Sequence, residues 1–195
     1  MSALIGLGHR KGVGKDTVGQ ILVSEHGFCR LAFADAIKAS LCYLAPLLDP
    51  RLADAIGELG VCEAKARAPE VREALATLGT TMRRHAGPNV WVDGLARRID
   101  GESNGRFVVT DVRAEREVRA IRGRGGLLVR VDRPGVAVGR DPADNALAGW
   151  DQWDAVVTND GGLDGLAEQA AAIVAMAEGT ERWAFQGVWV REGSP

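Results

Sequence analysis

The stretch GLGHRKGVGKDT, Gly6–Thr17, decides the fold. A short apolar run, Ala3–Leu7, precedes it, and Val18, Ile21 and Leu22 follow at helical spacing until Gly27. The run reads as a buried parallel strand, and Asp16–His26 as a helix stopped by the glycine. A glycine-rich loop between strand and helix turns successive backbone N–H groups toward one point, where the helix N-terminus adds positive partial charge. The standard phosphate-loop pattern is G-x-x-x-x-G-K-[ST]. Here Gly14-Lys15 supplies the GK pair, His9 stands in place of the first glycine, Asp16 in place of the hydroxyl, and Thr17 comes one position later. Lys11, Gly12, Val13, Gly14, Lys15, Asp16 and Thr17 are expected to hold nucleotide phosphates, with Lys15 reaching the outer ones and Arg10 and Lys11 adding charge at the mouth. Asp16 holds magnesium through water, orients groups around a second phosphate, or places favourable charge in a helix first turn. The departure at His9 makes the start of the loop the first place to inspect.

Working outward, Cys29–Phe33, Arg106–Asp111, Leu127–Val131 and Asp154–Thr158 read as further strands. Ala34–Leu48, Arg51–Leu59, Pro69–Arg84, Val90–Ile99, Ala114–Arg122 and Leu163–Met176 read as helices. Residues 51–100 hold no convincing strand, so a helical insertion interrupts an alternating α/β chain. The expected fold is three-layered, with a mostly parallel sheet of about five strands between helices. Residues 34–100 form a helical region, 133–150 a lid loop rich in glycine and proline, and 180–195 an aromatic C-terminal arm that adds a strand or packs. Such sheets bind ligands beyond the carboxyl ends of their strands, where the glycine loop and Asp111 fall.

Composition agrees with one domain: 195 residues, 46% hydrophobic and 26% charged. A net charge of -2 gives no blanket attraction to nucleic acid or a membrane surface. Cys29, Cys42 and Cys62 lack C-x-x-C spacing and read as reduced thiols, and no apolar run approaches a membrane span, so a cytoplasmic location is expected.

Six segments then follow in order: FADAIK (Phe33–Lys38), LGTTMRR (Leu78–Arg84), GPNVWV (Gly87–Val92), VVTDVR (Val108–Arg113), GGLLVRVDRPG (Gly125–Gly135) and TNDGGLDGL (Thr158–Leu166). With GKDT they make the chain resemble the deoxynucleoside monophosphate kinases of bacteriophages over roughly residues 1–175. The resemblance implies a P-loop kinase fold, ATP as phosphoryl donor, magnesium, and a deoxynucleoside 5'-monophosphate acceptor converted to the diphosphate in the host cytoplasm. It also suggests, with the aromatic arm, a homodimer. Thr81 stands where the family has an acid after GT, and Asp141-Pro142-Ala143-Asp144 replaces the family's HxSE-like lid run.

Transfer between two nucleotides brings two polyanions together, so cationic groups are needed from several directions. Arg84, then Arg83, is expected at the acceptor phosphate, Arg113 at substrate phosphate beyond a strand end, and Arg133 and Arg140 on the lid. For Arg83, Arg84, Arg133 and Arg140 the alternative is a solvated surface arginine, and for Arg113 a surface ion pair. Asp111 holds magnesium, positions the acceptor or caps the next helix. Asp35, with Lys38 a turn later, either faces the acceptor or caps a helix. Trp91 stacks on the acceptor base or packs in the core, Asn89 reads the base edge, and Trp150 closes over the base or is structural. The histidines form no metal-ligand spacing. Competing readings are another small-molecule P-loop kinase, a nucleotide switch or motor, and an inactive binder.

Overall fold

The computed structural model describes residues 3–102, 105–137, 139, 145–179 and 188–190. They divide into two compact units, Met1–Ala32 with Arg98–Pro195, and Phe33–Arg97.

The first unit is built on a sheet of strand order β2-β3-β1-β4-β5-β6. Strands β1 (Ala3–Gly8), β2 (Cys29–Leu31), β3 (Arg106–Val112), β4 (Leu127–Asp132) and β5 (Ala155–Thr158) run parallel. The backbone of β6 (Val188–Val190) adds an antiparallel edge beside β5, so the C-terminal arm takes the added-strand alternative next to the five parallel strands. Strand β1 is central and buried along its whole length, as a parallel strand covered on both faces must be. Its pleat divides the layers: Ile5 and Leu7 join Val18 and Leu22 of α1 (Lys15–His26) and Ile173 of α7 (Leu163–Ala177), while the Gly6 side meets Leu128, Val112 and Ile121 of α6 (Glu115–Arg122). Gly8 pairs in register with Val112 and with Arg130, and Asp132 with Thr158. The carboxyl ends of β1, β3, β4 and β5 therefore finish along one edge.

The second unit contains α2 (Phe33–Leu48), α3 (Pro50–Arg67), α4 (Pro69–His85) and most of α5 (Val90–Asp100). Leu41, Ala45, Leu52, Ala64, Val71 and Leu75 form its core. Asp49 caps α3, accepting from Arg51 N–H at 2.9 Å, and Pro50 suits the first turn because that position needs no N–H donor. The helices form an open cleft of about 470 Å³ lined by leucines of α2 together with Asp49, Glu70 and Glu73.

Two elements differ from expectation. Strand β2 stops at Leu31 and Phe33 already belongs to α2. As an edge strand paired only through Cys29–Leu31 to β3, β2 has no further ladder partner to extend it. The helical path breaks at Gly60, φ 72° and ψ 151°, as the expected end at Leu59 requires, but a second helical segment follows to Arg67 and buries Ala64 completely. No helix among the described residues is long and apolar enough to cross a membrane.

Candidate functional site

The loop between β1 and α1 lies at the carboxyl edge of the sheet. His9 has φ 90°, a conformation glycine adopts freely and which costs another residue on the order of 1–2 kcal/mol. The histidine thus takes the glycine-like backbone the loop pattern requires, and its buried side chain is held: Nδ1 lies 2.7 Å from Asp132 Oδ1 at the end of β4. Burial and the neighbouring Arg130 guanidinium keep the imidazole pKa below 6.5, against the opposing pull of Asp132, with Arg10 adding to the depression. Arg130 Nε donates to Asp132 Oδ1 at 2.9 Å.

Four of the loop's carbonyls are taken up within the unit. Lys15 Nζ donates to the His9 carbonyl at 3.2 Å and to the Arg10 carbonyl. Asn159 Nδ2 donates to the Val13 carbonyl at 3.0 Å, and the Gly14 carbonyl accepts from Val18 N–H at 3.0 Å. Among the described residues, the backbone N–H groups of Arg10, Lys11, Gly12 and Gly14 have no hydrogen-bond partner. Backbone donors left over at the N-terminus of a helix, with the His9, Arg10, Val13 and Gly14 carbonyls engaged elsewhere, give the chemistry of an anion cradle. Gly14 has to be glycine twice over: its φ is 102°, and a Cβ would lie 2.3 Å from Asn159 Nδ2. Gly8 is required by space, since a Cβ there would lie 2.3 Å from the Trp153 ring.

Around this loop the first unit gathers several of the expected residues. Lys11, Gly12, Asp16 and Thr17 are exposed, Val13 and Lys15 buried, and Arg10 half-buried. Asp111 and Arg113 are half-buried at the end of β3, and Arg133 is exposed just beyond β4. Asp111 does not cap α6, whose N-cap is Ala114. Glu117 does that work instead, accepting from the N–H groups of Arg113 at 2.7 Å and Ala114 at 3.0 Å. Burial raises the Glu117 pKa; the two N–H donors oppose this and Asp111 adds to it. Trp150 is half-buried, and its carbonyl accepts from Trp153 Nε1 at 2.9 Å. Arg140 and Asp141–Asp144 of the expected lid, and Trp183–Gly187 of the arm, lie outside the described residues.

The second unit carries the remainder. Asp35 lies inside the first turn of α2 rather than at its cap, 3.8 Å from Lys38 Nζ. Lys38 also reaches Cys62 Sγ at 3.5 Å. Arg83 and Arg84 occupy the last turn of α4; Arg83 Nη2 donates to Thr80 Oγ1 at 3.3 Å, and Arg84 is exposed. Asn89 is exposed before α5, and its carbonyl accepts from Asp93 N–H. Trp91 corrects the stacking expectation. Its indole is only 9% exposed and its Nε1 donates to the Gly79 carbonyl at 3.2 Å, which assigns the ring to packing.

Sequence reasoning passed over Asp132, Asn159 and Glu117 as site residues. Asp132 carried a readable signal, a carboxylate ending an apolar strand run as Asp111 does. Asn159 and Glu117 act through contacts that no spacing rule announces.

Magnesium usually keeps several waters and takes only one or two protein carboxylates beside substrate phosphates, so it needs no preformed cage. Among the described residues no cluster of three or more His, Cys, Asp or Glu side chains could hold a metal. An exposed Asp16 at the helix start and a half-buried Asp111 at a neighbouring strand end fit such a shared site.

No known protein-family profile matches the chain. It is 26% identical to an Acanthamoeba polyphaga mimivirus protein described as "Putative deoxynucleotide monophosphate kinase", over 88% of this chain and 95% of the viral one. Among solved structures it is similar to dephospho-CoA kinase from Campylobacter jejuni, with a TM-score of 0.50 and 14% identity over 93% of this chain and all of the other. A shikimate kinase from Acinetobacter baumannii aligns at a TM-score of 0.46 and 14% identity, over 93% of this chain and 96% of the other. With helices on both faces of a five-stranded parallel sheet and a phosphate loop leaving its central strand, the chain has the P-loop kinase fold.

Proposed function

We propose that this protein transfers the terminal phosphoryl group of ATP to a deoxynucleoside 5'-monophosphate, giving ADP and the deoxynucleoside diphosphate. One observation supports the reading: a loop in which, among the described residues, the N–H groups of Arg10, Lys11, Gly12 and Gly14 are unpaired and Lys15 lies against the His9 carbonyl, in a chain similar along most of its length to the viral protein described as a putative deoxynucleotide monophosphate kinase.

In this reading Lys11, Gly12, Val13, Gly14, Lys15 and Thr17 hold the donor phosphates, Lys15 exchanging carbonyl partners for phosphate oxygen. Arg10, Asp35, Lys38, Arg83, Arg84, Asn89, Asp111 and Arg113 serve the acceptor, with Arg84 on its phosphate and Asn89 at its base. Arg133 brings charge from the lid side, and Trp150 covers the base. An acceptor phosphate oxygen attacks the terminal phosphorus, the bond to the bridging oxygen breaks, and ADP leaves. That oxygen is already ionised near neutral pH, so Asp35 positions rather than deprotonates. Asp16 and Asp111 would hold magnesium, which when bound offsets negative charge on the phosphates.

The test is ATP with magnesium against a panel of deoxy- and ribonucleoside monophosphates, products separated. ATP consumption matched by a deoxynucleoside diphosphate is expected. Transfer only to a different small molecule, hydrolysis without an acceptor, or no consumption at all would each overturn the assignment.

A further inference from the structure

The residues that shape the phosphate loop are joined to one another by a strap that runs outside it. His9 Nδ1 lies 2.7 Å from Asp132 Oδ1. The Asp132 carbonyl accepts from Asn159 N–H at 2.7 Å. Asn159 Nδ2 then donates to the Val13 carbonyl at 3.0 Å. The path starts at one end of the loop, crosses the ends of β4 and β5, and returns at the other end. Because Val13 presents an acceptor, only the NH2 side of the Asn159 amide can close it.

We propose that Asn159 and His9 are positioning residues for the phosphoryl donor, holding the loop backbone in the curvature that leaves its N–H groups free for phosphate; this rests on the loop being the ATP site. Three features single out Asn159. Its amide is the partner of the Val13 carbonyl, which lies next to the α1 N-cap, Gly14. It sits where a Cβ on Gly14 would go, so it braces the tightest residue of the loop from behind. It is itself anchored by the β4 end through its own N–H. Without the amide the Val13 peptide can rotate, and a carbonyl would then face the phosphates where an N–H belongs. His9 does the same at the other end, since its positive φ is sustained by the anchored imidazole. Neither residue needs to touch substrate.

The experiment compares wild type with Asn159→Asp, which keeps the side chain's size but cannot donate, Asn159→Ala and His9→Asn. ATP affinity is measured by calorimetry, with KM for ATP, KM for the acceptor, kcat and thermal melting alongside. Loss of one such hydrogen bond should weaken ATP binding about tenfold in either Asn159 variant, with acceptor KM within about twofold of wild type. His9→Asn should move the same constant in the same direction by less, because Asn tolerates positive φ. Unchanged ATP affinity in a folded Asn159→Asp protein overturns the proposal, as does an equal rise in both KM values. Failure of wild type to bind ATP would instead refute the reading of the loop itself.

Discussion

Replacing Gly8 by alanine tests the packing that supports the phosphate loop. The new Cβ would stand 2.3 Å and 2.6 Å from two carbons of the Trp153 ring and 3.2 Å from the Val112 carbonyl. It cannot slide sideways, because that carbonyl is backbone of the paired strand β3. The ring cannot swing away cheaply, being 6% exposed and tethered by Nε1 to the Trp150 carbonyl at 2.9 Å. Gly8 has an ordinary backbone, so the cost is steric rather than conformational. Overpacking of this kind costs about 1–3 kcal/mol, and the rigid neighbours place Gly8→Ala at the upper end, about 3 kcal/mol. For a chain of this size that lowers Tm by about 6–12 °C. Urea unfolding of Gly8→Ala, Trp153→Leu and the double variant measures the coupling. Since the smaller Trp153→Leu side chain vacates the space, the double variant should be more stable than the sum of the single effects by about 1 kcal/mol or more. Additive effects, or a Gly8→Ala protein within about 0.5 kcal/mol of wild type, would refute the steric argument.

Lys15→Ala should abolish phosphoryl transfer while far-ultraviolet circular dichroism stays that of wild type; turnover near the wild-type rate would remove the loop from the chemistry. Arg84→Ala should raise the acceptor KM about tenfold or more and leave the ATP KM nearly unchanged, as loss of a charge-assisted contact of about 1.5–3 kcal/mol implies; equal effects on both would take Arg84 off the acceptor. His9 also predicts a pH dependence. Its folded pKa is below 6.5, so as pH falls below 6.5 the unfolded chain takes up the proton first and stability declines. Urea midpoints at about pH 7.5 and about pH 5.5 should therefore drop further in wild type than in His9→Asn, and equal drops would show that His9 is not held neutral.

The phosphate loop and the parallel sheet were legible because both are local. A short apolar run, glycines, Lys15 and a helical repeat lie within the first 26 residues, and β1, β3, β4 and β5 each carry their own apolar signature. Pro69 and Gly27 marked helix ends for the same reason, one by its fixed φ and the other by its φ of 67° at a C-cap. The limits of α3 were less legible. Gly60 does break the helix, and what the sequence did not announce is the helical segment beyond it that buries Ala64.

The site divides along the same line. The order of residues in the loop determined that N–H donors, a helix N-terminus and a lysine would meet, since these follow from neighbours in the chain. Tertiary structure alone decided how His9 could stand where glycine belongs, because Asp132 is brought to its imidazole by β4 pairing beside β1. It alone placed Asn159 against Val13, 146 positions away, through the parallel pairing of β4 with β5. It also turned Trp91 into a packing residue by offering its Nε1 the Gly79 carbonyl. Local order specifies what a segment can do; which side chains sustain it depends on strands that meet only after the chain has folded.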